Sequence, residues 1–178
     1  ADSASLAASS GSSLIGFIQS GTGAVAETVQ TKLRERLSVK DFGAKGDGTT
    51  DDAAAIQATI DKAKALGGGV VFFPKGSYLI QSSLTIYDCI TLRGVGANSI
   101  TGTTSTIDGS GLGSLPTILG DGVSDVVIDD LYVYGSTTSG AGIRFGGSCR
   151  RVSINRVIIN KLLSATGACL DIGWTSGS

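Results

Sequence analysis

The sequence predicts a mainly β protein of the solenoid class, in which short strands stack coil upon coil. Glycine supplies 27 of the 178 residues, so the chain can turn at short intervals. From Val70 onward, short runs of β-branched residues alternate with turns of Gly, Ser and Asp, and the helical period disappears. The third observation is an internal repeat towards the end of the chain, which is typical of a solenoid.

The internal repeat has a period of 26 to 27 residues. Residues 125–134 match residues 151–160, and apolar side chains coincide at 126/152, 128/154, 131/157 and 133/159. Residues 140–146 recur in the same way as residues 167–173, and residues 89–94 look like an earlier, less regular copy. A β-sandwich also uses short strands, but it gives no reason for a fixed offset. We therefore expect stacked coils, with Asp129 and Asn155 paired at a turn.

The N-terminal part has a different composition. Residues 1–23 are rich in Ser, Gly and Ala, which predicts an extended leader that other parts must order. Residues 24–37 predict a helix, because apolar residues recur at intervals of four, at Val25, Val29, Leu33 and Leu37. So short a helix needs a partner for its apolar stripe. That partner is either its own domain or other copies of the chain in an oligomer.

A second helix is predicted over residues 51–66. Side-chain oxygens can cap its N-terminus from Thr49, Thr50, Asp51 and Asp52. Its apolar stripe consists of Ile56, Ile60 and Ala63, and three glycines end it. The glycine-rich turn before this helix does not fit a phosphate-binding loop, because Lys45 lies too early relative to the helix start.

The composition excludes several classes of chemistry and of partner. The chain has no His, so it cannot use a Ser-His-Asp triad or a His-ligated zinc. Its 14 Lys+Arg balance 15 Asp+Glu, which argues against a nucleic-acid partner. The apolar cluster at 14–18 is too short for membrane insertion. Cys89, Cys149 and Cys169 lack a C-x-x-C spacing and are expected to be buried, inert thiols; no metal or cofactor is predicted.

Several runs of sequence resemble a known family. The opening of the pectate-lyase-like right-handed β-helix superfamily is similar to residues 38–57, SVKDFGAKGDGTTDDAAAIQ, and to residues 67–78, GGGVVFFPKGSY. The neck segment of bacteriophage tailspikes is similar to residues 11–25 and 28–35. These segments follow one another in the order that tailspikes use.

The resemblance implies a fold and a setting. The fold is a right-handed parallel β-helix over residues 38–178, with the helix at 51–66 covering its open N-terminal end and a neck helix at 24–37 before it. The setting is a homotrimer in the tail of a virion, in which the neck helix trimerises the chain. The leader would then join a phage tail or baseplate protein. The β-helix would bind, and in many tailspikes depolymerise, a bacterial capsule or lipopolysaccharide glycan.

Candidate site residues are few. Both Glu residues lie on the predicted neck helix, so a carboxylate catalyst would have to be Asp, and no Asp pair stands out. The catalytic residues are therefore unassigned. Tyr132 and Tyr134 alternate with inward-facing Leu131 and Val133, so both rings are expected on the outer surface. They could stack on a sugar of the substrate or pack against a neighbouring subunit.

The leading hypothesis about function is an attachment segment that joins the virion tail to a β-helix recognising bacterial surface polysaccharide. Its active site would lie further along a longer chain, because a solenoid that ended at Ser178 without a cap would expose strand edges. The alternative is a self-contained polysaccharide lyase or glycoside hydrolase. A secreted bacterial wall or pectin enzyme fits less well, because no signal segment is recognisable.

Overall fold

The structure is a computed structural model that describes residues 3–4, 11–33, 35–98, 103–136, 141–161 and 170–172. Residues 1, 2 and 5–10 of the predicted leader lie outside these ranges. The chain divides into two compact units, Ala1–Arg36 and Leu37–Ser178. Within the described residues, no helix is long and apolar enough to cross a bilayer.

Residues 11–33 of the first unit form a strand pair and, after it, a short helix. Strands β1 (Gly16–Phe17) and β2 (Glu27–Thr28) pair antiparallel, and a 3-10 helix spans Gly11–Ser13. A five-residue helix, Val29–Leu33, follows β2. The neck helix expected over 24–37 is thus not confirmed at its predicted length. An isolated helix of a few turns is marginal, and here β2 pairs with β1 where the helix was expected to begin.

The second unit is a parallel β-helix whose strands form three sheets. Sheet I stacks β3 (Leu37–Ser38), β5 (Gly69–Phe72), β8 (Ile90–Arg93), β12 (Val127–Asp129) and β15 (Ser153–Asn155). Sheet II stacks β4 (Asp47–Asp51), β6 (Gly76–Leu79), β10 (Thr103–Asp108), β13 (Tyr132–Gly135) and β16 (Ile158–Lys161), with β9 (Ala97–Asn98) antiparallel to β10. Sheet III stacks β7 (Leu84–Thr85), β11 (Ile118–Asp121), β14 (Ile143–Gly146) and β17 (Leu170–Ile172). Each complete coil visits sheets I, II and III in turn, and parallel crossovers of this kind are right-handed. The predicted right-handed parallel β-helix is confirmed.

The strand register confirms the repeat found in the sequence. Strands β12 and β15 pair at an offset of 26, so Asp129 lies beside Asn155 as predicted. Strands β14 and β17 pair at an offset of 27, with Ile143 beside Leu170. Because side chains alternate along a strand, sheet II sends one apolar column into the core, formed by Tyr78, Ile107, Val133 and Ile159. Each fully buried side chain of such a column stabilises the fold by about 1.5–3 kcal/mol.

Residues in the left-handed conformation turn the chain at two corners. Between sheets III and I, equivalent positions of successive coils hold Cys89, Asp125 and Arg151, with φ of 59°, 59° and 50°. Between sheets I and II, the equivalent positions hold Asp130 and Arg156, with φ of 55° and 49°. Stacking therefore brings an Asp of one coil beside an Arg of the next coil at both corners.

The predicted capping helix is present over Ala53–Ala65. Ile56, Ile60 and Ala63 have no exposed surface and belong to the same core cluster as the apolar columns of the coils. The end of a solenoid leaves apolar side chains and unpaired strand edges exposed. The helix covers that surface, as the sequence predicts.

The N-terminus of the capping helix differs from the prediction in one respect. Asp51 accepts a hydrogen bond from the backbone N–H of Ala53 at 3.1 Å, whereas the side chain of Asp52 makes no cap. The Asp52 carboxylate is 1% exposed and accepts the N–H groups of Lys45 and Gly46 at 2.7 and 2.9 Å. A buried carboxylate needs such partners, so Asp52 ties the glycine-rich turn to the start of the helix.

The prediction of buried cysteines is wrong for Cys89, which is exposed. It lies at a corner between sheets, where the chain turns and the side chain is not part of an inward column. Cys149 is partly exposed, and its thiol lies 2.9 Å from the Gly146 carbonyl oxygen, to which it donates. Cys169 lies outside the described residues.

Candidate functional site

The outer surface of sheet II carries the tyrosines that the sequence singles out. Two columns of side chains face away from the core there, one formed by Ser77, Thr106, Tyr132 and Ile158 and the other by Leu79, Asp108, Tyr134 and Asn160. Asp47 and Asp51 of β4 extend the columns at one end. We call these ten residues the tyrosine face. Because its positions repeat from coil to coil, it runs along the axis of the β-helix.

The two tyrosines form a fixed aromatic pair. Their ring centroids lie 4.8 Å apart with the planes at 42°. Leu131 and Val133 are fully buried, as the alternation predicts, but Tyr132 is also largely covered, with 6% of its surface exposed. The Asn160 side-chain amide donates to the Tyr132 hydroxyl at 2.9 Å. The partly exposed Tyr134 is therefore the ring that a ligand can reach.

The environment raises the pKa of the Tyr134 hydroxyl, which is protonated at neutral pH in any case. A hydrogen bond with the Tyr132 hydroxyl raises the pKa of Tyr134 above its ordinary value, and desolvation and the charge of Asp108 act in the same direction. Removing a proton from this pair would place a phenolate beside a carboxylate. The tyrosine pair is therefore an uncharged aromatic surface with hydroxyl groups at its edge.

Carboxylates of the tyrosine face are fixed by backbone N–H groups. Asp108 accepts from the N–H of Ser110 at 2.9 Å. Asp47 accepts from the N–H groups of Thr50 and Thr49 at 2.8 and 2.9 Å, and these bonds hold the pKa of its carboxyl well below its usual range. Such carboxylates are oriented acceptors with unused oxygen lone pairs.

The corner between sheets I and II concentrates opposite charges, and we call Arg93, Asp129, Asp130 and Arg156 the ionic corner. Arg156 donates to Asp130 at 2.6 Å and to Asp129 at 2.5 Å, and Arg93 lies 3.4 Å from Asp129. The Arg156 guanidinium holds the pKa of the Asp130 carboxyl below its usual range. Asp129, at the end of β12, and Asp130, at the corner after it, are therefore held in structural ion pairs.

A cleft of about 410 Å³ lies beside the end of the capping helix. Its walls include Lys64, Tyr87, Asp88, Cys89 and Asp121. The Lys64 ammonium sits 3.5 Å from the centre of the Tyr87 ring, so the protein's own cation already covers this aromatic face. The Asp88 carboxylate accepts the backbone N–H of Ser124 at 2.7 Å. The cleft is less suited to sugar stacking than the tyrosine face.

The described residues do not assemble a metal site. No three His, Cys, Asp or Glu side chains lie together in the described part of the chain in a way that could hold a cation. The Asp108 carboxylate beside the tyrosine pair accepts a hydrogen bond from the backbone N–H of Ser110. The tyrosine face offers aromatic and hydrogen-bonding contacts to a ligand, and the catalytic residues stay unassigned.

Comparison with known proteins defines the class to which the chain belongs. Residues 36–161 match the family described as rhamnogalacturonase A/epimerase, pectate lyase-like. The match covers most of the β-helix unit. The chain therefore belongs to this pectate-lyase-like family.

The chain is similar to three known proteins. Mannuronan C5-epimerase AlgE4 of Azotobacter vinelandii is 34% identical over 145 residues, which are 70% of this chain and 26% of that protein. The structure of its A-module has a TM-score of 0.61 at 31% identity, covering 77% of this chain and 41% of the module. ORF18 of Geobacillus virus E2 has a TM-score of 0.57 at 26% identity, covering 80% and 31%. A tailspike protein of E. coli bacteriophage HK620 has a TM-score of 0.64 at 16% identity, covering 86% and 31%.

These comparisons confirm the resemblance to tailspike β-helices at the level of the fold. The identity to the HK620 tailspike is too low to carry more than the fold. The chain spans about a quarter of the length of the epimerase relative, so it corresponds to one part of that protein.

Sequence reasoning singled out the two tyrosines as candidates but missed the residues around them. Strand β10 pairs with β13 at the same offset of 26, which puts Asp108 beside Tyr134. The repeat is hard to recognise in β10, because Ile107 is the one apolar residue of Thr103–Asp108 that matches an apolar position of the later coils. The repeat pairs residues 134 and 160, so it places Asn160 beside Tyr134, but it does not reveal the hydrogen bond that Asn160 donates to Tyr132.

Proposed function

We propose that the chain is the N-terminal part of a tailspike β-helix that binds bacterial surface polysaccharide, with the tyrosine face as its contact surface. The observation that carries the proposal is the tyrosine pair, held outside the core on a rigid parallel sheet. The epimerase relative is named for a polysaccharide substrate, and a phage tailspike shares the fold. Both support a polysaccharide as the ligand.

The chemistry of the tyrosine face suits a sugar ring. An aromatic ring can pack against the C–H face of a pyranose, while fixed polar groups at its rim bind the hydroxyl groups. Tyr134 supplies the ring, and the Asp108 carboxylate and the Asn160 amide flank it in the adjacent coils. Because these groups are fixed by the sheet, little side-chain entropy is lost on binding.

Replacing Tyr134 by Ala tests the proposal. We expect the affinity for a bound surface polysaccharide to fall about fivefold or more, because the stacking contact is lost. Affinity electrophoresis in gels containing purified capsular or lipopolysaccharide glycans measures it. Tyr87→Ala, which removes a tyrosine from the cleft, is the matched control and should leave retention unchanged. Equal losses in both variants, or no retention of the unaltered chain by any glycan, would contradict the proposal.

The proposal includes a homotrimer in the virion tail, with the first unit joining a tail or baseplate protein. Large apolar side chains of that unit are exposed, namely Leu14, Ile15, Ile18, Val25 and Leu33. Exposed apolar residues in such number favour a protein partner. Light scattering of the chain should give the mass of a trimer, and Val25→Ser with Leu33→Ser should give a monomer. Leu66→Ser, at an exposed leucine of the second unit, is the control; a monomeric unaltered chain would refute the trimer.

A second candidate is a polysaccharide-modifying enzyme. The observation that favours it is the 34% identity to a mannuronan epimerase over 70% of the chain. Incubation with surface glycans and uronate polymers, followed by detection of reducing ends, unsaturated products or inverted uronates, tests it. Product formation by this chain would support the second candidate, and activity that needs a longer chain would support the first.

A further inference from the structure

The two rings of the tyrosine pair lie closer together than their positions on the strand require. Tyr132 and Tyr134 are two residues apart on β13, which separates their Cα atoms by about 6.6 Å. Their ring centroids are only 4.8 Å apart. The rings therefore lean towards each other, and a hydrogen bond joins their hydroxyl groups. Contacts must hold this arrangement, because a surface tyrosine can otherwise change its side-chain torsions.

Asn160 supplies such a contact from the next coil. Its backbone lies beside Tyr134 in the register of β13 and β16, yet its side-chain amide donates to the Tyr132 hydroxyl at 2.9 Å. The residue beside Tyr132 in β16 is Ile158, which has no polar side-chain atom. The Asn160 amide therefore crosses from one column of the tyrosine face to the other and holds the ring of Tyr132.

The three side chains form one series of hydrogen bonds, from the Asn160 amide to the Tyr132 hydroxyl and from there to the Tyr134 hydroxyl. Only 6% of the Tyr132 surface is exposed, so Tyr134 is the ring of this series on which a sugar can stack. A ring that is already fixed loses little side-chain entropy when a sugar packs on it, whereas a freely turning ring loses more. The hydrogen bonds behind Tyr134 should therefore contribute to the affinity.

We propose that Asn160 is a positioning residue, which fixes the orientation of the Tyr134 ring through the Tyr132 hydroxyl and thereby sets the affinity of the tyrosine face for a glycan. This inference rests on the proposed polysaccharide-binding function. Asn160 is itself exposed, so a direct contact with the sugar is the alternative role. The two roles can be separated, because only the positioning role depends on the Tyr132 hydroxyl.

A double-mutant cycle separates the two roles. Asn160→Leu keeps a side chain of similar shape but removes the amide donor, and Tyr132→Phe removes the hydroxyl that accepts from it. We expect each change alone to weaken retention by a glycan that binds the unaltered chain about threefold, and both together to weaken it no further. Affinity electrophoresis of the full chain measures retention. A loss of about ninefold in the double variant would overturn the inference, because independent effects multiply.

Two further variants test whether the amide of Asn160 is the group that matters. Asn160→Gln keeps an amide donor and should recover part of the retention that Asn160→Leu loses. Asn155→Leu, at an exposed asparagine of the same coil on sheet I, is the matched control and should leave retention unchanged. Equal losses in Asn155→Leu and Asn160→Leu would contradict a specific role of Asn160.

Near-ultraviolet circular dichroism without glycan reports the order of the tyrosine pair independently of binding. Asn160→Leu and Tyr132→Phe should reduce the tyrosine signal, and Asn155→Leu should not. A loss of retention in Asn160→Leu with an unchanged signal would overturn the positioning role and leave polysaccharide binding intact. Absence of retention of the unaltered chain by every glycan would instead overturn the proposed function, while the dichroism would still decide whether Asn160 orders the pair.

Discussion

The tyrosine face and the ionic corner use carboxylates in two different ways. At the ionic corner, Asp129 and Asp130 are neutralised by guanidinium groups, chiefly that of Arg156 in the next coil. On the tyrosine face, Asp108 is oriented by a backbone N–H and lies beside aromatic rings. A carboxylate paired with an Arg fastens coils together, whereas one that is oriented but not neutralised remains available to a ligand.

Both regions arise from the same period of 26 residues. That period places Asp130 beside Arg156 at the corner and Tyr134 beside Asn160 on the sheet. The offset between coils is the same in the two places, although the corner residues are left-handed and the strand residues extended, so residue type decides whether a column is structural or accessible to a ligand. Variants at matched positions can therefore separate the two roles.

The largest change in stability is expected from a methyl group added at Gly94, next to the ionic corner. In Gly94→Ala the new Cβ would lie 2.1 Å from the backbone oxygen of Asp130, so the coils would have to move apart. We expect the free energy of unfolding to fall by about 3 kcal/mol, as for other overpacked sites. Urea denaturation measures it. The control is Gly111→Ala, where nothing lies within 4 Å; an equal loss there would contradict the packing argument.

A smaller effect is expected from removing one carboxylate charge in each region. Asp129 is 6% exposed and contacts two arginines, so Asp129→Asn should lower the free energy of unfolding by about 2 kcal/mol. Asp108→Asn keeps its acceptor for Ser110 and should change that energy by about 0.5 kcal/mol or less. Both are compared by urea denaturation. Equal losses would remove the distinction between the two regions.

The fold was predictable because periodicity and apolar patterning are properties of the chain itself. The repeat predicted the pairing of Asp129 with Asn155, and the stripe of Ile56 and Ile60 predicted the capping helix. The exposed fraction of the two tyrosine side chains was not predictable. Alternation places Tyr132 outside the core, but its coverage depends on contacts such as that with Asn160. The position of Asp108 was missed because its strand carries one inward apolar residue that matches the repeat.

The pH dependence of stability should report the arginine pairs at the corners. Hydrogen bonds from Arg151 and Arg156 hold the pKa values of Asp125 and Asp130, respectively, below the ordinary value of about 3.9. A lowered pKa in the folded state stabilises the fold above the unfolded pKa, and this stabilisation is lost as the pH falls through the folded pKa. The melting temperature of the unaltered chain should therefore decrease as the pH falls from about 5 to about 3.

Arg151→Gln isolates one of these pairs. It removes the guanidinium beside Asp125, so the melting temperature should drop at about pH 6 and approach that of the unaltered chain at low pH. High salt should reduce the difference, because both side chains are largely exposed. A difference that stays constant from neutral to acid pH would show that packing, and not charge, accounts for the effect of Arg151.

The smallest effect concerns the hydrogen bond within the tyrosine pair. Tyr132→Phe removes the hydroxyl that raises the pKa of Tyr134, so this pKa should fall towards the ordinary value of about 10. Alkaline ultraviolet titration, with Tyr134→Phe as the reference that identifies the signal, measures the change. Burial raises the pKa of Tyr78 to about 12, and this core tyrosine should be unaffected. An unchanged pKa of Tyr134 would mean that desolvation and the charge of Asp108, and not the hydrogen bond with Tyr132, raise this pKa.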